Sequence, residues 1–540
     1  MTSINENTTF HQFTHPIRYV AVVGSGPSGS PVIRHLRDAG FNVRAFERQS
    51  QSGGIWNWRP SVSLPLSVPT PPPSKGAFTP VIRDGGVVDD PTHEVRDKFS
   101  PPNPCYWNLT NNVPTTTMAF KDFPYPPGTA LNISHEGISS YVHNYVENFG
   151  LDKLTSYNTR VEKAEKQGDT WTLTLRKVLD EGEAKAREEY WTEEFDALVV
   201  ATGHYNAPYI PALGGAEQWS SAWPEKVIHS QGYRVPEPYA GKTVLIVGLG
   251  TSGNDIARDL ASHANKLYLV GKNVLRGPTA YQQQRRLQRA LVPENSERVA
   301  EIKRFLPLKS GQTLSEGTIE LTDGRLLTGI DEVIFATGYQ YSYPFLPQYH
   351  KDPGSSRPAA LTPLVTDGSG VLNLYRDVFY IPDPTLTFLG LSVNTSAFSF
   401  FEYQSISIAR VFAGKARLPD EAGRWKAYAS LVREKGEGKF SHLLNRDGER
   451  TYVKDTVEWI NSEAKVFGAE PIAGHSPEWL AESEKIQQLI AERYNLQPEQ
   501  LAAIRGGKAT PEEEEFKTAQ EETNKKAAEG IARRVGAISA

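Results

Sequence analysis

A chain of 540 residues, 39% hydrophobic and 22% charged, has the balance of a folded globular protein with room for two or three domains. Its formal net charge of -5 gives no electrostatic ground for nucleic acid or an anionic membrane as partner. The single cysteine, Cys105, excludes an internal disulfide, a multi-cysteine zinc site and a redox-active cysteine pair; beside Tyr106 and Trp107 it reads as a small buried hydrophobe.

The opening stretch MTSINENTTFHQFTHPIRYV carries neither a basic segment nor an apolar core, so no secretory signal is expected. The longest apolar runs, such as TLTFLGLSV at 385–393, are far short of a membrane span, and a soluble, cytoplasmic chain is the expectation.

After a polar tail over 1–16, the run YVAVV leads into Gly24, Ser25, Gly26, Pro27, Ser28 and Gly29 and then into SPVIRHLRDAG, the order strand, glycine turn, helix. Gly24 permits the sharp turn, Gly26 lets backbone approach a pyrophosphate, and Gly29 allows close helix–strand packing. The helix start turns its partial positive charge to the phosphates. The next strand, NVRAFE, ends at Glu47, where a carboxylate can accept both hydroxyls of an adenosine ribose; Arg48 follows it. The stretch 60–104, rich in proline and glycine, reads as an irregular surface excursion. Residues 155–196 alternate polar and apolar, as in a small antiparallel sheet that ends in a buried strand.

A second cradle, Gly248, Leu249, Gly250, Thr251, Ser252 and Gly253, follows KTVLIV and opens NDIARDLASHA. Its second strand, KLYLVGKN, carries Lys272 where the first unit carries an acid. A cation attracts a 2′-phosphate that an acid would repel, so the first cradle suits a free ribose diol and the second suits NADPH, with Arg276 near enough to help. The alternative for Lys272 is an ordinary solvated lysine. Two such sites coexist sensibly where hydride passes from nicotinamide to a flavin, which places FAD in the first. Without a cysteine pair, the electrons go to dioxygen, a small acceptor or a protein partner.

An internal repeat, DALVVATG at 196–203 and DEVIFATG at 331–338, marks a buried parallel strand in each unit, with Thr202, Gly203, Thr337 and Gly338 in the turns that close them. The second unit is inserted into the first. The expected architecture is α/β: two Rossmann-like domains, FAD-binding over 17–210 and 331–460 and NADPH-binding over 211–330. A helical C-terminal extension occupies 461–540, where 511–536 is a charged helix or frayed tail.

Six segments in order resemble the flavin-containing monooxygenases, a class B flavoprotein group, over roughly 17–460. They are the first glycine turn followed by GGIWNW (Gly53 to Trp58), LTNNVPTTTMAFKDFPYP (109–126), ATGHYNAPYIP (201–211), the second glycine turn, FATGYQYSYPFL (335–346) and FFEYQSISIARVFAGKARLP (400–419). The resemblance implies FAD and NADPH as cofactors and a C4a-hydroperoxyflavin, formed with O2, that oxygenates nitrogen or sulfur of a small molecule. It further implies a dry pocket.

The resemblance places Asn112 beside the flavin, as the catalytic candidate, with Asn111 the neighbouring register and an Asx turn before Pro114 the structural alternative. It also places Gln404 near the flavin, against a helix-surface role, and puts Gly54, Ile55 and Trp56 on the cofactor, against plain core packing for Trp56. The family signature F-x-G-x-x-x-H-x-x-x-[FY] corresponds to WPEKVIHSQGY at 223–233: His229 and Tyr233 fit as linker residues, whereas Trp223 and Glu225 depart from it. Tyr233 stands where Baeyer–Villiger enzymes of the related group usually carry Trp. Ketone oxygenation is the alternative activity, and a nucleotide-binding flavoprotein sensor a third. Substrate-facing residues are expected from 60–110 and 390–405; substrate identity and oligomeric state are left open.

Overall fold

Strand β1 (Tyr19–Val23) runs through the first glycine turn into helix α1 (Gly29–Asp38), and the chain returns as β2 (Asn42–Phe46), parallel to β1 with Val20 opposite Val43. The computed structural model describes residues 9–60, 67–90, 98–180, 186–272, 274–354, 362–486, 490, 496–507 and 509–538. Parts of several expected segments therefore lie outside the described residues: 1–8 of the tail, 61–66 and 91–97 of the substrate-facing stretch, and 181–185 of the charged run after the alternating strand.

The first repeat strand, β3 (Ala197–Val200), pairs with the other edge of β1, Val22 opposite Val199, and all four of its residues are buried. A continuous apolar run suits a strand covered on both faces, and each buried valine contributes roughly 1.5–3 kcal/mol of transfer free energy. Leu386–Phe388 extends the sheet parallel to β3, Phe379–Tyr380 and Leu374–Tyr375 add to it antiparallel, and Thr155–Ser156 extends it beyond β2, giving seven strands in all. The alternating stretch forms Thr159–Gln167, Thr170–Asp180 and Ala186–Phe195 in one antiparallel sheet, as the pattern predicts. A fourth strand, Gly86–Asp90, adds to its edge from within the supposed irregular excursion. Its GVVDD run offers two apolar residues between glycines and acids, too little periodicity to announce a strand.

The second unit repeats the plan. Strand β4 (Thr243–Val247) leads through the second glycine turn to α2 (Thr251–Leu260), then β5 (Lys266–Val270), α3 (Thr279–Ala290) and β6 (Glu332–Phe335). The sheet order is Val227–His229, β6, β4, β5, Ser296–Val299, all parallel. β6 sits beside β4 as β3 sits beside β1, so the second repeat belongs to the second sheet. The expected boundary at 330 cuts this sheet, and pairing moves it past Phe335. The chain leaves the first unit through Ala207–Pro208 and returns through Tyr339–Gln340, and these two segments pair antiparallel as a ribbon between the units.

Beyond this point helices predominate. α4 (Phe398–Phe412) packs on α1, followed by α5 (Glu421–Lys435), α6 (Asn445–Phe467), α7 (Pro498–Arg505) and α8 (Pro511–Ile538). α8 is a docked helix rather than a frayed tail: Ala528 and Ile531 are buried against Trp425, Tyr428 and Val432 of α5. Among the described residues no helix is long and apolar enough to cross a membrane.

Candidate functional site: two glycine cradles and the contacts between them

At the first cradle Gly24 has φ 102°, and a methyl there would lie 2.6 Å from the Ala201 carbonyl oxygen. A methyl at Gly29 would lie 2.0 Å from the Gly24 carbonyl oxygen, so α1 can start this close to the strand only on glycine. Gly26 faces Gly54: a methyl on Gly26 would stand 3.3 Å from Gly54 Cα, and Pro27 Cδ lines the same contact. The two glycines thus join the turn to the GGIWNW loop, where Gly54, Ile55 and Trp56 form a single helical turn and the half-buried Trp56 packs against the first core. Ser28 Oγ donates to the Ala201 carbonyl at 3.3 Å and lies against Gly390, a neighbour that sequence spacing did not bring to the site.

Glu47 is buried, accepting the Ser25 N–H on one oxygen and the Gln49 N–H on the other, both at 2.9 Å. Burial pushes its pKa up while these donors oppose the rise. The oxygen that takes the Ser25 N–H also accepts the Ser25 hydroxyl at 3.4 Å, while the one that takes Gln49 keeps a lone pair that can accept a ribose hydroxyl. Arg48 donates to Asn206 Oδ1 at 2.6 Å, Asn206 donates to the Thr202 carbonyl at 3.0 Å, and Gly203 closes the turn at φ 66°.

The two candidate asparagines separate cleanly. Asn111 is buried, donates to the Val113 and Leu131 carbonyls at 2.7 Å and accepts the Ile133 N–H at 2.7 Å, so the turn role belongs to it. Asn112 is exposed, and its amide makes no hydrogen bond among the described residues. Gln404 is fully buried on α4, beside Tyr452 of α6, which removes the helix-surface reading.

The second cradle matches the first at its first and last glycines. Gly248 has φ 109° and a methyl there would lie 2.4 Å from the Ala336 carbonyl oxygen; at Gly253 a methyl would lie 1.9 Å from the Gly248 carbonyl oxygen. Both turns are therefore cut to the width of a glycine, as a pyrophosphate cradle requires. Above Gly250 stands Arg285 of α3, with Nη1 3.3 Å from where a methyl would sit, and Gln288 of α3 donates to Thr251 Oγ1 at 3.4 Å. Ser252 is exposed on the first turn of α2.

Lys272 is exposed at the end of β5, and its carbonyl accepts from the Arg289 guanidinium. Burial and the neighbouring Arg298, Arg285 and Arg286 charges pull the Arg289 pKa down, the mark of crowded cations. Sequence reasoning missed these arginines, although RRLQR sits at helical spacing in 285–289. Arg276, expected to assist Lys272, instead lies over the Phe516 ring of α8 at 4.7 Å.

The linker residues tie the units together. His229 Nε2 donates to the Gly338 carbonyl at 3.0 Å while its Nδ1 accepts the Gln231 N–H, and burial brings its pKa down to about 4. Thr337 Oγ1 donates to the Tyr209 carbonyl at 2.5 Å, and the Tyr209 N–H donates to Gly338 at 2.9 Å. Tyr233 is buried, its hydroxyl 2.5 Å from Asp259 of α2, while Tyr106 donates to Asp255 at 3.1 Å. Arg234 donates to the Asn103 and Cys105 carbonyls, and Asn103 donates to Gly54 at 3.1 Å. One chain of hydrogen bonds thus leads from the first cradle to the second unit. Cys105 is buried and burial pushes its thiol up to about 12, which leaves it a packing residue. No group of three or more His, Cys, Asp or Glu among the described residues is placed to hold a metal.

Residues 102–275 and 308–473, more than half of the chain, match the family described as flavin-binding monooxygenase-like. The chain is 33% identical to flavin-containing monooxygenase iboF of Amanita muscaria across 86% of this chain and 91% of that one. It is equally 33% identical to flavin-containing monooxygenase ustF2 of Aspergillus flavus, across 88% and 98% respectively. Among solved structures, the S-allyl-L-cysteine S-oxygenase of Allium sativum shares the fold, with a TM-score of 0.62 and 24% identity over 94% of this chain and 99% of that one. With the family model covering more than half of its length and relatives of this kind at 33% identity, the chain belongs to the flavin-binding monooxygenase-like family and is a flavin-dependent monooxygenase.

Proposed function

We propose that the chain holds FAD in the first cradle and NADPH in the second, and adds one oxygen atom of O2 to a nitrogen or sulfur of a small molecule. The observation that carries the choice of NADPH is the rim of the second cradle. Lys272 follows β5 at the position where an acid would select a free ribose diol, Arg289 donates to its carbonyl, and Arg298 is among the charges beside Arg289. A 2′-phosphate carries close to two negative charges and finds its counter-charge there.

The flavin supplies the chemistry that activates oxygen; the chain positions the partners and keeps water out. Exposed Asn112 is free to donate to a flavin or nicotinamide oxygen, while Asn111 holds the loop that presents it. A soft nitrogen or sulfur nucleophile needs no general acid or base. The groups gathered at the ribbon suit that: His204 and His229 are held neutral, their pKa values brought down to about 4 by burial, and Tyr339 is held protonated by burial. Attack on a ketone builds an alkoxide that needs a strong donor. Arg234, between the units, commits its Nη groups to backbone carbonyls.

The test is purified full-length protein assayed for a bound flavin spectrum and for NADPH oxidation in air. Product mass is then recorded with an amine, a thioether and a cyclic ketone. An N-oxide or sulfoxide is expected. A lactone without sulfoxide would replace the nitrogen or sulfur reading with ketone oxygenation, and protein without flavin would end the cofactor assignment.

A further inference from the structure

Helix α3 roofs the second cradle. Its inner side carries Arg285 over Gly250 and Gln288 on Thr251, and Gln284 accepts from Asn394 of the first unit at 3.0 Å. Its outer side rests on the C-terminal arm. Leu287 packs on Leu501 of α7, and Arg286 donates to Glu513 of α8 at 2.9 Å.

Glu513 joins two pieces of the rim. One carboxylate oxygen accepts the Leu275 N–H at 3.1 Å, in the loop that follows Lys272, and the other accepts Arg286 and the Thr510 N–H. The residue is buried, with 4% of its surface exposed, so neutralising it weakens a largely shielded ion pair with the part-buried Arg286. Phe516, one turn further along α8, carries the Arg276 guanidinium, and the far end of the same helix is fixed on α5. The arm therefore runs from the first unit to the outer face of the roof.

We propose that Glu513 is a positioning residue for the nicotinamide nucleotide: through Leu275 and Arg286 it holds the Lys272 loop and α3 at the spacing that receives the cofactor. This rests on the reading of the second cradle as the NADPH site. Glu513 touches no nucleotide itself and acts through the residues that do.

The experiment measures NADP⁺ affinity of the FAD-loaded full chain by calorimetry, and backbone hydrogen exchange over 274–290, in the unaltered protein, Glu513→Gln and Arg286→Gln. The exposed Lys526→Ala on α8 serves as control. Glu513→Gln is expected to weaken NADP⁺ about tenfold, speed exchange over 274–290, and raise KM for NADPH while kcat stays within twofold. Arg286→Gln should do the same from the other side of the pair, and Lys526→Ala should do neither. NADP⁺ affinity in both variants equal to that of the unaltered chain overturns the proposal. Absence of NADP⁺ binding by the unaltered chain, with FAD in place, overturns the cradle reading and this inference with it.

Discussion

His229 holds the Gly338 carbonyl with its Nε2–H at 3.0 Å, just where the chain turns out of the second sheet into the ribbon that returns to the first. The ring is buried and must be neutral, because its Nδ1 accepts a backbone N–H. Its folded pKa of about 4 lies below the ordinary value of 6.5, so the unfolded chain binds more protons between these two values. Stability from this residue is complete above 6.5 and is lost as pH falls towards 4, by roughly 1.4 kcal/mol per pH unit at the steepest. Urea unfolding followed at pH 7.5 and pH 5 should show this loss. In His229→Gln, whose amide cannot titrate, the difference should shrink; an unchanged pH dependence would place the acid sensitivity elsewhere.

The glycine turns can be separated by one methyl each. Gly29→Ala drives a methyl into the Gly24 carbonyl and Gly253→Ala does the same to Gly248, at 2.0 and 1.9 Å. Such overpacking costs about 1–3 kcal/mol or more and opens the turn. Gly29→Ala is expected to lower flavin content at least fivefold, read from absorbance after gel filtration. Gly253→Ala should retain the flavin and bind NADP⁺ at least tenfold more weakly. Loss of flavin from Gly253→Ala alone would reverse the assignment of the two cradles.

Much of this layout is written in local pattern. The two glycine turns, each between an apolar strand and an amphipathic helix, and the repeated A-T-G strands depend on residues within a few positions of one another, so spacing reveals them. The boundary past Phe335 needed the pairing of β6 with β4, a contact across some ninety residues that only symmetry with β3 could have suggested. Asn111 and Asn112 were indistinguishable as a dipeptide and part only when the partners at Leu131 and Ile133 are in place. Arg276 was drawn to the nucleotide by its nearness to Lys272, but Phe516, far along the chain, takes it. Tertiary partners of this kind leave no local trace.

Cys105 should be silent. Its thiol is fully buried and its pKa is pushed up to about 12, so little thiolate exists at neutral pH. Ellman's reagent is expected to find no reactive thiol in the native protein and one after denaturation in guanidinium. Cys105→Ala should keep flavin content and turnover within twofold. Rapid native labelling accompanied by loss of turnover would give the cysteine a role that its burial denies.

Arg289 offers the sharpest test of cofactor choice, because its guanidinium is held on the Lys272 carbonyl, at the end of β5. At an effective dielectric near 20, two unit charges 4 Å apart interact by about 4 kcal/mol, and solvent and neighbouring arginines reduce what one side chain contributes. Arg289→Ala is therefore expected to lower kcat/KM for NADPH by 10- to 100-fold, within about 3 kcal/mol, and for NADH by less than threefold. Lys272→Ala, losing a more exposed charge, should shift the same ratio by a smaller factor, and 0.5 M salt should narrow the gap for both variants. Equal losses with the two nucleotides would mean that these cations stabilise the loop after β5 rather than read a phosphate.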